Sequence, residues 1–175
     1  MTTLVDWFTS SRNNPGLALP KTPSPFTSTK TYGATTGLSC CFRQHRAVSH
    51  CRLQHGYSLG FKFVFGGYEL NDRGWIVDFG ALKPLRAALE DHFDHVTAVA
   101  LDDPKLSVFQ ALQDEHNIAR VKVFEDGVGC EKFAKKAFDL ATAILLDVAP
   151  GTWVISAECF EHEGNSAMYT NPTKY

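Results

Sequence analysis

The sequence predicts an α+β fold in which amphipathic helices cover one face of an antiparallel sheet. Three observations carry this. Residues 57–68 alternate, with Tyr57, Leu59, Phe61, Phe63 and Phe65 set against Ser58, Gly60 and Lys62, the period of a half-buried strand. Residues 130–146 carry Phe133, Ala134, Ala137, Leu140, Ala141, Ile144 and Leu145 along one helical stripe. Strands open the chain, helices follow and a strand closes it, so the helices segregate to one side of the sheet.

The elements follow in order. Residues 1–30 are rich in Ser, Thr, Pro and Asn and predict an extended arm; residues 31–175 form a single domain. Residues 31–47 read as the first strand and 57–68 as the second. Leu70-Asn71-Asp72-Arg73-Gly74 is a turn signal. Leu82, Leu85, Ala88, Leu89 and Phe93 mark one face of a helix, with Pro84 in its tolerant first turn. Residues 104–116 predict a short second helix, 121–124 a short strand, and 130–146 the long helix. In the last strand, 153–161, Trp153, Ile155, Ala157 and Cys159 are expected to share a face with Glu161. An open sheet needs its edges covered, so a homo-oligomer is expected.

Composition narrows the function. The 175 residues carry a formal charge of −2, which gives no basic footprint for nucleic acid. No apolar run approaches the roughly 20 residues that cross a bilayer, and residues 1–14 do not read as a secretory signal. The five cysteines, an odd count at irregular spacing, read as free thiols in a reducing, cytoplasmic setting.

Three places could carry chemistry. The densest is Gln44-His45-Arg46-Ala47-Val48-Ser49-His50-Cys51-Arg52-Leu53-Gln54-His55-Gly56-Tyr57, which holds His45, His50 and His55 around Cys51. Neutral imidazoles suit zinc, and a catalytic zinc takes three protein ligands and keeps one position open. Spacing alone leaves open a metal site or a solvated polar loop. The second place is Asp94-His95, which reads as an acid–base dyad or as a cationic helix end. The third is Glu161, a carboxylate on an apolar strand face, which must be paired, bind a ligand or reach solvent.

Taken together, the motifs resemble the 6-pyruvoyltetrahydropterin and 6-carboxytetrahydropterin synthase family. The matching residues are His45-Arg46, Cys51 with His55-Gly56, Trp75-Ile76-Val77-Asp78-Phe79-Gly80-Ala81-Leu82-Lys83, Asp94-His95, Gly129-Cys130-Glu131 and Glu161. Asn165-Ser166-Ala167-Met168-Tyr169 resembles the family's end, so the likeness runs over about residues 32–169. It implies the tunnelling fold, a four-stranded antiparallel sheet backed by helices that assembles into a barrel-like homo-oligomer with sites between subunits. It implies 7,8-dihydroneopterin triphosphate as substrate. One branch forms 6-pyruvoyltetrahydropterin. The other, expected here, releases acetaldehyde and triphosphate and leaves 6-carboxytetrahydropterin for 7-deazaguanine synthesis. A non-catalytic pterin- or purine-binding module is the alternative from another class.

The resemblance also implies roles. Cys51 is the general base, Asp94-His95 a second proton relay, and Glu161 the pterin anchor, with Glu131, Cys130 and Gly129 beside the same ring. Zn2+ is the implied cofactor, held by His45 and His55. The family's third ligand is the second His of His-Gly-His, and here Tyr57 stands in that position. His50 is the substitute expected, with Tyr57 as the alternative third ligand. Residues 96–126 form an insertion longer and more polar than the family's.

Overall fold

Strand β3 (His55–Gly67) is the hub of the sheet. The structure, a computed structural model, describes residues 24–172. Most of the arm expected over residues 1–30 lies outside them, and β1 (Phe26–Tyr32) opens within it. Leu59, Phe61, Phe63 and Phe65 of β3 are completely buried, as their alternation requires. β2 (Leu38–Phe42) pairs antiparallel with the first part of β3, and β1 with the second. β6 (Thr152–His162) pairs antiparallel with β3, and β7 (Asn165–Thr170) with β6.

The expected four-stranded antiparallel sheet is corrected to a seven-stranded mixed one, ordered β5-β4-β2-β3-β6-β7 with β1 also on β3. β4 (Val96–Ala100) runs parallel to β2, and β5 (Arg120–Phe124) parallel to β4. All five residues of β4 are buried, so it shows no alternation to read; parallel strands covered on both faces have this character. The expected strand over 31–47 is also divided. A 3-10 turn at Ala34–Thr36, closed by Gly37 at φ 83°, separates β1 from β2.

The last strand departs from simple alternation as well. Val64 pairs with Ser156 and Phe65 with Val154, which leaves Ile155 as an extra residue. This bulge moves Trp153 and Ile155 off the face of the buried Ala157 and Cys159 and puts Val154 inside instead. A second irregularity, between Phe160 and His162, leaves Glu161 without a partner on β7.

Helix α1 (Lys83–Phe93) buries Leu85, Leu89 and Phe93. α2 (Leu106–Asp114) buries no residue and lies on the surface beside β4 and β5. α3 (Cys130–Val148) buries Phe133, Ala134, Ala137, Phe138, Ala141 and Leu145. Phe133 joins the layers: its ring meets Phe42 of β2 at 5.0 Å, Phe93 of α1 at 5.2 Å and Phe124 of β5 at 5.2 Å. Truncating such a residue to Ala costs about 3–5 kcal/mol. No helix among the described residues is long and apolar enough to cross a membrane.

Candidate functional site

The connection from β2 to β3 holds the reactive stretch, and its own backbone shapes it. The Gln44 N–H donates to the Cys51 carbonyl at 2.9 Å, closing the loop. Ser49 caps the 3-10 turn His50–Arg52, its hydroxyl accepting from the Cys51 N–H. Cys51 is therefore held beside Gln44, facing the start of α3 and the β6–β7 turn.

There a cleft of about 340 Å³ is lined by Gln44, Cys51, Cys130, Glu131, Glu161 and the 164–167 segment. It gathers Cys51, the adjacent Cys130 and Glu131, and Glu161 from three distant parts of the chain. Gly129 sits at the N-terminus of α3 with φ 120°. A Cβ there would displace the end of the Gln44 side chain, and the φ of 120° strains any residue but glycine. The bulge aims Glu161 toward the cleft, the use that strand irregularities near sites commonly have.

Tyr57 shares a face of β3 with His55, and their rings meet at 5.3 Å. The Tyr57 ring also packs against Phe42 at 5.9 Å and His162 at 6.4 Å. Burial, and then the charges of Glu161, Cys51 and Cys130, push its phenol above the usual value. Cys40 is pushed up to about 12 by burial and then by Cys41. Cys159 is also pushed up, by burial and by the Cys130 thiol beside it. Both stay protonated core thiols.

His45 belongs to a different cluster. Its Nε2 lies 4.0 Å from Asp102 Oδ1 and its Nδ1 3.9 Å from Asp103 Oδ2. Arg43 grips Asp103 with two hydrogen bonds of 2.9 and 2.6 Å, and Arg46 pairs with Asp102. Burial opposes ionisation of Asp103, but hydrogen bonds from Arg43 and the Lys105 N–H, with the charges of Arg43 and His45, hold its carboxyl below the usual value. His55 turns its Nδ1 to the Leu53 carbonyl at 2.6 Å, and His50 is exposed on the 3-10 turn.

These side chains do not fit a three-imidazole zinc site as arranged. His45 leans on two carboxylates, and among the described residues no group of three His, Cys, Asp or Glu is placed to hold a metal ion. The set His45, His55 and His50 is not gathered in one place among the described residues, while the alternative Tyr57 lies against His55.

Asp94 and His95 do form a pair, His95 Nδ1 lying 2.8 Å from Asp94 Oδ1. His95 stands at φ 50°, a left-handed conformation uncommon outside glycine, between α1 and β4. Asp94 Oδ1 also accepts the Ser39 N–H at 3.3 Å, at the start of β2. The Cys51 loop leaves the other end of β2, roughly 13 Å of strand away. Within one chain the dyad and Cys51 are apart.

Sequence reasoning missed Gln44, Asp102, Asp103 and His162. Gln44 stood inside the reactive stretch but acts through backbone and packing. Asp102-Asp103 fell in the segment read as an insertion, and only the parallel pairing of β2 with β4 brings them to His45.

Comparison with known proteins completes the picture. The family model described as 6-pyruvoyl tetrahydropterin synthase matches residues 33–172. Comparison with curated proteins gives no match. An uncharacterised protein from Wolinella succinogenes superposes with TM-score 0.71 at 16% identity, covering 83% of this chain and 98% of its own. Plasmodium vivax 6-pyruvoyltetrahydropterin synthase gives 0.60 at 12% identity, covering 83% and 98%. The Caenorhabditis elegans 6-pyruvoyl tetrahydropterin synthase gives 0.56 at 15%, covering 87% and 99%. These likenesses extend over the same sheet and helices that build the cleft, and with the family match over residues 33–172 the chain belongs to the 6-pyruvoyl tetrahydropterin synthase family.

Proposed function

We propose that the chain is a pterin-forming lyase that converts 7,8-dihydroneopterin triphosphate and water to 6-carboxytetrahydropterin, acetaldehyde and triphosphate, with the carboxytetrahydropterin suited to 7-deazaguanine synthesis in the cytoplasm. The observation that carries this reading is the cleft in which Cys51, Glu131 and Glu161 meet. A carboxylate can accept two N–H bonds from the 2-aminopyrimidinone edge of a pterin, and charge-assisted bonds of this kind orient as well as bind. Glu161 is that anchor, with Glu131, Cys130 and the Gly129 backbone beside the same ring. The substrate's side chain then points along the cleft to Cys51, which as thiolate removes a proton from it.

The Asp94-His95 dyad enters from a neighbouring copy in a homo-oligomer with sites between subunits. Two features support this: the dyad is exposed at the far end of β2, and the sheet has open edges. His95, oriented by Asp94, relays a second proton. Zinc would supply Lewis-acid polarisation if bound, but the implied ligands are not gathered, so no step here passes through it.

The test is product analysis by mass spectrometry after incubating the purified chain with 7,8-dihydroneopterin triphosphate. The expected result is 6-carboxytetrahydropterin with acetaldehyde. The family description favours a second reading, the pyruvoyl-forming branch, which would give 6-pyruvoyltetrahydropterin and triphosphate without acetaldehyde. Unaltered substrate with retained pterin binding would sink both and leave a binding module.

A further inference from the structure

Besides its part in the loop's backbone and packing, Gln44 carries a side-chain amide that is free to bind. We propose that this amide reads the pterin ring: Gln44 Nε2 donates to the C4 carbonyl oxygen and so selects 4-oxo pterins over their 4-amino counterparts. The inference rests on the pterin site of the lyase reading and adds the residue that sets which ring is accepted.

Gln44 lines the cleft together with Cys51, Cys130, Glu131 and Glu161. Its backbone is fixed on both sides, the N–H donating to the Cys51 carbonyl at 2.9 Å and the carbonyl accepting the Ala47 N–H at 2.8 Å. Gln44 Nε2 and Glu131 Oε2 both border the space where a Gly129 Cβ would stand, the oxygen 3.7 Å from that point and the nitrogen closer still. Glycine leaves that space open. On this wall a neutral donor therefore stands beside an acceptor. A flip of the amide would turn its oxygen toward the Glu131 carboxylate, so Glu131 favours the donating orientation.

The bonding inventory of the cleft shows why such a donor is needed. The pyrimidinone edge of a pterin presents N–H groups and, next to them, one carbonyl oxygen. Glu161 and Glu131 as carboxylates only accept, so they suit the N–H groups and repel the oxygen. A carbonyl enclosed without a donor loses its bond to water and gains nothing in return. Among the lining side chains, Ser166 Oγ already donates to Glu158 at 2.7 Å, and the Asn165 amide is turned to His162, 3.1 Å from its Nε2. The Gln44 amide has no hydrogen-bond partner among the described residues. A 4-amino ring would set N–H against N–H at this point. Sites built to bond a ligand's polar group reject analogues that lack it, because the site's own group is left unpaired.

The experiment measures the affinity of the full chain for neopterin and for its 4-amino counterpart by calorimetry, at a pH where both rings are uncharged. Wild type is compared with Gln44→Met, which keeps the side chain's length, and with Gln44→Ala, each checked by a thermal melt. The ratio of the two affinities is the readout, because partial unfolding weakens both ligands alike and leaves it unmoved. Wild type is expected to prefer neopterin by about 20-fold, and both variants to fall within about threefold of no preference. Both ligands weakened equally, with the ratio kept, would make Gln44 a packing residue and overturn the inference while leaving the lyase reading intact. A wild type without preference would overturn it too. Product analysis on the same wild-type preparation separates the two readings: the expected ratios without turnover would sink the lyase chemistry and uphold Gln44 as the ring's reader. A wild type that binds neither ring would sink both.

Discussion

Two clefts meet at Gln44, and they differ in what their side chains have left to give. In the smaller, His45, Arg46 and Asp102 adjoin the Arg43–Asp103 pair and are engaged with one another. In the larger, Cys51, Glu131 and Glu161 face open space. Chemistry needs groups whose bonding capacity is unspent, so the second cleft is the one proposed to react, while the first acts as a brace. The brace ties the start of the β2–β3 loop to the turn after β4, and so fixes the wall from which Gln44 and Cys51 project.

Cys51→Ala should lower turnover by about 1,000-fold while leaving the melting temperature in place, since it removes the base from the open cleft. Steady-state kinetics beside a thermal melt reads this, and normal turnover would move the chemistry elsewhere.

Asp103→Asn should act on stability. The carboxylate is buried and Arg43 depends on it, so the loss is expected near 3 kcal/mol by denaturant titration. The pH dependence has a definite sign. Asp103 titrates lower in the folded chain than in the unfolded one, so its contribution is present above about pH 4 and fades as the pH falls through the folded value. The wild-type melting temperature should drop on acidification more steeply than that of Asp103→Asn.

Gly129→Ala forces a side chain into a left-handed position against Gln44, for about 2 kcal/mol. Because Gln44 lines both clefts, this variant should lose stability and turnover together. Glu161→Gln should weaken neopterin binding by about tenfold, the loss of one charge-assisted bond, with little change in folding. Unchanged affinity would remove Glu161 as the ring's anchor.

Much of this architecture could be read in the sequence, for physical reasons that also mark where reading stops. β3, α1 and α3 each bury one face and expose the other, so their periods are visible. β4 is buried throughout, so Val96 to Ala100 carry no period and the segment passes for an insertion. The bulge at Ile155 belongs to a pair of strands, not to one, and a single strand's pattern cannot show it. In the site, Cys51, Cys130, Glu131 and Glu161 could be picked out by motif order. The partners of His45 could not. Asp102 and Asp103 lie far along the chain, and only the β2–β4 pairing brings them near. A histidine chosen for its metal-binding chemistry is thereby held by carboxylates.

A crystal structure of the full chain soaked with neopterin tests most directly whether the open cleft, rather than the braced one, holds the pterin. The expected result is the pterin ring against Glu161 and Glu131, with its side chain toward Cys51. A pterin seated instead beside His45 and Asp102, or in the apolar groove of about 430 Å³ between Phe26, Trp75 and Phe79, would contradict it.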